Sequence, residues 1–140
     1  MTSKEFFRRV WEAQKEISII NMRREKYLSI AVGMGGMSET GIHATGNKSK
    51  VELAALSLVE LSDRLGNTAA EYAKLVSDAE GLISRLERQR HRQVLTLRYI
   101  EGRPWKAISD IMGYQDEKSV FRVHGWALKA AQQLLDGGKD

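Results

Sequence analysis

Apolar residues recur at alternating spacings of four and three along most of this chain, the period of one face of a helix and not of a strand. The first such stripe is Phe6, Val10, Ala13, Ile17, Ile20, Tyr27 and Ala31, interrupted at Arg24 and widened by Phe7, Trp11, Ile19 and Met22. Thr2 and Glu5 precede it at the spacing of a capping box, in which each side chain satisfies a backbone N–H at a helix start. The second stripe is Val51, Ala54, Leu58, Leu61, Leu65, Thr68, Tyr72, Leu75, Ala79, Leu82 and Leu86. Its spacing does not slip, which is the signature of a coiled-coil seam, and Ser49 with Glu52 has the spacing of a second capping box. The heptad phase continues through Gly66-Asn67, so the pattern predicts one unbroken helix over 50–87, about 57 Å long at about 1.5 Å per residue. Between the stripes, AVGMGGMSETGIHATGNK has no period and predicts a connecting loop over about 33–48.

From Val94 onward the periods shorten. Val94, Leu95, Leu97 and Ile100 predict a helix that stops at Glu101-Gly102, where glycine tolerates a left-handed backbone. Pro104 predicts the first position of the next helix, whose buried face would be Trp105, Ile108 and Ile111 or Met112, with Gly113 as its end. Asp116 is placed to cap a third helix with its apolar face at Val120, Val123, Ala127, Ala131 and Leu134. That leaves an outer face carrying Lys118, Ser119, Arg122 and Lys129, with Phe121 beside it. Arginine bonds guanine edges bidentately, lysine and serine hold phosphates, and an exposed Phe suits either a thymine methyl or packing. Two short helices joined by a tight turn, the second with a basic outer face, predict a helix-turn-helix that binds double-stranded DNA.

The motifs Leu97-Arg98-Tyr99-x-Glu-Gly, Trp105-x-x-Ile108, Met112-Gly113-Tyr114 and Val120-x-x-Val123-His124-x-x-Ala127-Leu128 resemble region 4 of bacterial sigma-70 factors. They are still more similar to the phage-encoded, sigma-region-4-like transcriptional regulators of the RinA and ArpU type. The likeness is close over 86–135. It implies a regulator, probing the major groove with the helix after Gly113, that activates late genes of a phage or prophage in a bacterial host. Two departures stand out. Pro104 replaces the Ser or Thr that caps the second helix in the family, and the turn Tyr114-Gln115-Asp116-Glu117 is one residue longer than in sigma factors.

Charge sharpens the division. The formal net charge is +4. Residues 1–87 hold 12 Lys/Arg against 12 Asp/Glu, and residues 88–140 hold 10 against 6, so the whole excess lies at the carboxy-terminal end. Arg85, Arg88, Arg90, Arg92 and Arg98 crowd the approach to the helix-turn-helix. A modest basic excess on one module implies salt-sensitive phosphate binding. Arg90 and Arg92 before the first short helix, and Arg103 and Lys106 at the start of the second, are the candidates for phosphate clamping.

Catalysis finds little to work with. Cysteine is absent, which excludes disulfides, thiolate metal sites and cysteine nucleophiles. His43, His91 and His124 lack a second ligand at metal spacing, and no serine lies in a nucleophile elbow. Gly33-Met34-Gly35-Gly36 is glycine-rich but has no preceding strand and no Gly-Lys-Ser/Thr, so it does not read as a phosphate loop. No enzyme, cofactor or metal is expected. No run approaches the roughly 20 apolar residues of a membrane span, and the amino terminus lacks a signal-peptide core, so the chain is expected in the cytoplasm.

The sequence therefore predicts an all-α protein. Residues 1–87 form a helical hairpin or coiled coil that makes a homo-oligomer, a dimer first of all, and 88–140 form a three-helix DNA-binding domain. Two alternatives stay open: an adaptor that binds host RNA polymerase with weak DNA specificity, and a DNA-recognising phage packaging subunit of the small-terminase kind.

Overall fold

The computed structural model describes residues 1–33 and 44–137. All regular structure among them is helical. Helix α1 spans Ser3–Leu28 and widens into a π turn over Ser29–Gly33. Helix α2 spans Ala44–Ser84, α3 Gln89–Leu95, α4 Trp105–Met112 and α5 Glu117–Leu135. None of the helices among the described residues is long and apolar enough to cross a membrane.

The capping box at the start of α1 is present in both directions. Thr2 N–H donates to Glu5 Oε1 at 3.0 Å, and Glu5 N–H donates to Thr2 Oγ1 at 3.1 Å. The second expected box is not a helix start. Helix α2 begins at Ala44, so Ser49 lies inside it and residues 44–48 of the loop expected from composition over 33–48 are helical. Ser-x-x-Glu spacing also arises by chance within helices, and here the helix continues upstream through Gly46-Asn47 in spite of their low propensity. Residues 34–43, with His43 and most of the glycine-rich segment, lie outside the described residues.

Each position of the second stripe is buried or half-buried, the last of them, Leu86, lying just past the end of α2. Ala54, Leu61, Leu75, Ala79, Leu82 and Leu86 are buried, while Val51, Leu58, Leu65, Thr68 and Tyr72 are half-buried. The helix passes through Gly66-Asn67 without a break but stops at Ser84, short of the expected 87. Its last turn tightens: Arg85 and Leu86 N–H groups bond to the Leu82 and Ile83 carbonyls, and Ser84 Oγ bonds to the Gly81 carbonyl at 2.8 Å.

Packing divides the chain into two compact units, Met1–Gln14 with Tyr72–Asp140, and Lys15–Glu71. The charge boundary at 87/88 is thus not the packing boundary. Three helices as short as α3–α5 enclose little apolar volume by themselves. Their core of Val94, Leu95, Tyr99, Ile108, Val120, Val123, Ala127 and Ala131 is completed by Phe7, Val10 and Ala13 of α1 and by Leu75, Ala79, Leu82, Ile83 and Leu86 of the α2 end. Polar ties fix the same junctions. The buried Ser3 donates from its N–H to Gln132 Oε1 at 2.6 Å and from Oγ to the Leu128 carbonyl at 2.7 Å, fastening α1 to α5. Gln14 Nε2 donates to Tyr72 Oη at 3.1 Å and to the Ile100 carbonyl at 3.4 Å.

In the other unit Ile20, Ala54 and Leu61 are buried, and Arg64 donates to Glu16 at 2.8 Å. Arg24, the interruption in the first stripe, is half-buried. Its Nη1 reaches Asn21 Oδ1 at 3.2 Å, and its Nε is buried with no partner. The residues that widen the stripe part company: Phe7 is fully buried, whereas Ile19 and Met22 face solvent.

Two glycines give opposite expectations. Gly66 sits mid-helix with open space where a Cβ would stand, so Gly66→Ala is expected to stabilise the protein by about 0.5–1 kcal/mol. Gly113 also has open space but a φ of 81°, so Gly113→Ala is expected to cost about 1 kcal/mol. Urea-unfolding midpoints of the two variants against the parent measure both signs.

Candidate nucleic-acid interface

The segment from Glu101 to Asp116 is shaped by four local devices. Helix α3 runs into a π turn over Thr96–Ile100, in which Glu101 N–H bonds to the Thr96 carbonyl at 2.9 Å. Gly102 then turns left-handed, φ 69°, and Arg103 N–H closes onto the Leu97 carbonyl at 2.9 Å. A Cβ at Gly102 would meet the end of the flexible Gln14 side chain at 3.0–3.2 Å, which would have to give by a few tenths of an ångström, so the left-handed backbone is the stronger reason for glycine there. Pro104 is extended, φ −70° and ψ 157°, and stands one position before the helix as its N-cap instead of inside it. Its carbonyl accepts from Ile108 N–H at 3.1 Å, and its fixed φ replaces a capping side chain.

Gly113 ends α4 with Tyr114 N–H bonded to the Ser109 carbonyl at 2.9 Å, and the buried Ser109 Oγ donates back to the Tyr114 carbonyl at 3.1 Å. Asp116 then caps α5, its Oδ1 accepting from Ser119 N–H at 3.1 Å and from Ser119 Oγ at 3.3 Å. The Asp116 carboxylate is thereby turned to the helix start.

On α5 the expected division of faces is present. Val120, Val123, Ala127 and Ala131 are buried and Leu134 is half-buried, while Lys118, Arg122 and Lys129 are exposed. Ser119 is half-buried with its hydroxyl held at the cap. Arg103 and Lys106 are exposed at the entry to α4, where Ile111 faces solvent and Met112 is the half-buried member of the expected pair. Arg90 is exposed, and its Nη1 lies 3.5 Å from Tyr114 Oη in the turn before α5. Arg92 is placed differently. Its Nη1 donates to the Leu86 carbonyl at 2.6 Å and the Glu87 carbonyl at 3.0 Å, so this guanidinium closes the frayed end of α2.

Aromatic and cationic side chains link four elements behind that surface. The Arg98 guanidinium lies 3.9 Å from the Trp11 ring centroid and 4.2 Å from that of Trp105, and its Nη1 donates to the Arg103 carbonyl at 3.1 Å. Tyr99 stacks on Phe7 at 4.9 Å and shares a 2.8 Å hydrogen bond with His124 Nε2. His124 in turn meets Trp105 edge-on at 4.8 Å. Phe121, 46% exposed, places its ring against Trp105 at 5.3 Å, so it packs along one edge and offers the other outward.

Burial, reinforced by Arg98 and Lys4, pushes the His124 pKa down to about 4, so the imidazole is neutral and structural at pH 7. His91 is lowered for the same first reason, with Arg88 and Arg90 adding to it. Burial lowers Arg98 too, but a guanidinium stays charged.

Trp126 and Arg88 are not among the site residues expected from the sequence, where Trp126 is open between sealing the module and facing solvent and Arg88 is one of a basic cluster. Together with Arg90 and His91 they line a hollow of about 370 Å³, and Trp126 is 45% exposed. The available signal was its place four residues after Arg122, on the same side of α5. Among the described residues no group of three or more His, Cys, Asp or Glu is placed to hold a metal ion. Comparison with known proteins finds no matching family model, no matching curated protein and no matching solved structure.

The depressed His124 pKa sets a pH dependence. The unfolded chain takes up a proton near the ordinary value of 6.5, the folded one only near 4, so stability falls as the pH drops through that window. Allowing for partial solvent screening, the loss is about 2 kcal/mol. His124→Gln is expected to flatten the pH dependence of the urea midpoint between those two values, while His91 continues to contribute with the same sign.

Proposed function

We propose that this chain is a sequence-specific, DNA-binding transcriptional regulator that self-associates through α1 and α2. In this reading α1 and α2 form a helical hairpin, and α3–α5 form the helix-turn-helix module. The observation that carries it is the two-sidedness of α5, with an apolar face buried in the core and an outer face of Lys118, Arg122 and Lys129. A recognition helix needs this construction: the inner face fixes its position, and the outer face is free to enter a major groove about 12 Å wide.

Arg122 is the base-reading residue in this proposal, with Lys118 and Lys129 beside it. Arg90, Arg103 and Lys106 hold phosphates, and Ser119 acts through the cap. The indole of Trp126 with Arg88 and Arg90 suits a sugar-phosphate strand running past the end of α3, where the ring covers a deoxyribose and the guanidinium groups meet phosphates. The resemblance to phage regulators extends the reading to activation of phage or prophage late genes.

A second reading, an adaptor for host RNA polymerase, is favoured by a different surface. Leu97, Met112 and the 56% exposed Ile111 line a shallow hollow of about 530 Å³ with Gln89, Gln93 and Thr96. An apolar patch of this kind fits a protein helix better than it fits DNA. Co-purification with polymerase that is lost on Ile111→Asp, with DNA affinity retained, would favour the adaptor.

The deciding experiment is fluorescence-anisotropy titration of the protein against duplexes tiled from the DNA around its own gene and against random duplex, over a salt series. A preference of about a hundredfold, about 2.7 kcal/mol, identifies a sequence reader. On that duplex Arg122→Ala is expected to cost about 1–3 kcal/mol and to relax specificity. Arg90→Ala or Lys106→Ala should weaken all duplexes alike and lower the salt slope by about 1. Because its Nη1 is engaged by the Leu86 and Glu87 carbonyls, Arg92→Ala should lower thermal stability and leave the salt slope in place. Absence of binding at low salt overturns the regulator reading.

A further inference from the structure

The unit formed by Lys15–Glu71 exposes large aliphatic side chains on both of its helices. On α1, Ile19 is 52% exposed and Met22 67%; on α2, Leu56 is 68% and Val59 62%. These residues lie away from the buried stripe that holds Ile20, Ala54 and Leu61. Charged residues bracket each pair at one helical turn. On α1 the row reads Lys15, Ile19, Met22, Lys26, and on α2 it reads Glu52, Leu56, Val59, Asp63. The four charged positions are exposed, and Lys15 also has an interaction within its own chain.

Both rows have steps of four, three and four. Laid antiparallel, they match at every position: Lys15 opposite Asp63, Ile19 opposite Val59, Met22 opposite Leu56, and Lys26 opposite Glu52. A four-three-four row is a seam that stays on one side of a helix, so two such rows can pack as a short antiparallel coiled coil. Pairing either row with its own copy would put Lys against Lys, or Glu and Asp against each other, at both ends of the seam. Like charges so placed select against the self-paired arrangement.

We infer that the α1 row of one copy docks antiparallel on the α2 row of the next, so that the protein assembles head to tail. Each contact then buries four aliphatic side chains between two pairs of opposite charges. A head-to-tail contact leaves one free row at each end of any open assembly, so growth continues to a closed ring or a filament. This inference rests on the self-association in the proposed function and is independent of whether the protein binds DNA.

Sedimentation velocity of the full chain over a concentration series tests it, with circular dichroism to check that each variant is folded. The parent is expected to form species larger than a dimer. Leu56→Asp, at an exposed position, should abolish them. Lys26→Glu and Glu52→Lys should each weaken association about threefold, and Lys26→Glu/Glu52→Lys in one chain should restore it. A parent that is monomeric at every concentration overturns self-association altogether. A closed dimer, or an assembly indifferent to Leu56→Asp and to both charge reversals, overturns this surface while leaving self-association standing.

Discussion

The carboxy-terminal unit depends on one guanidinium held between two indoles. Arg98 lies on the π turn that ends α3, Trp11 on α1 and Trp105 at the start of α4, and the cation occupies the space between the rings. Arginine suits the position because its planar group is weakly hydrated and stacks on aromatic faces, whereas an ammonium would keep its water. The same turn presents Tyr99 to Phe7 and His124. Three tertiary junctions, α1 to α3, α3 to α4 and α3 to α5, thus converge on two consecutive residues. Burial of a charge is tolerated here since the Arg103 carbonyl and both ring faces compensate it.

The rest of the unit follows from that anchor. With Trp105 held, α4 starts at a defined place and Pro104 gives it a defined direction. Gly113, Ser109 and Asp116 then determine how α5 leaves the turn. Because α5 has its inner face filled by small and β-branched residues, its outer face carries charge without any cost in packing. Arg92 illustrates the competition between scaffold and surface: a side chain that sequence alone places with the phosphate-binding arginines is engaged by two backbone carbonyls left open at the end of α2.

What could be read in advance was whatever short-range rules govern. The capping box at Thr2 and Glu5, the Asp116 cap, the left-handed Gly102 and Gly113, and each position of the second stripe depend on neighbours within about one helical turn. The start of α2 misled because a Ser-x-x-Glu pair has the same spacing inside a helix as at its end. Pro104 lay one residue from its expected station, a difference between two positions that both tolerate a missing N–H. The Arg98 sandwich, the reassignment of Arg92 and the Trp126 hollow were hidden for a common reason. Each is made by residues far apart in sequence, and no local pattern marks an arginine for stacking over one for capping. Likewise the recruitment of Phe7 and Leu75 into the core of the carboxy-terminal helices follows from how little those helices enclose, which is a property of volume and not of motif.

In the proposed head-to-tail assembly, the opposed charges on the outer rows of α1 and α2 would have a consequence for any DNA that it reads. A two-fold dimer presents its recognition helices in opposite senses and reads an inverted repeat. A chain of copies joined head to tail carries every α5 around one axis in the same sense. Under the proposed function, the DNA sites for such an assembly would be direct repeats on one strand, at a period set by the rise from copy to copy. The four charges at Lys15, Lys26, Glu52 and Asp63, none of which need touch a base, would then decide the grammar of the operator.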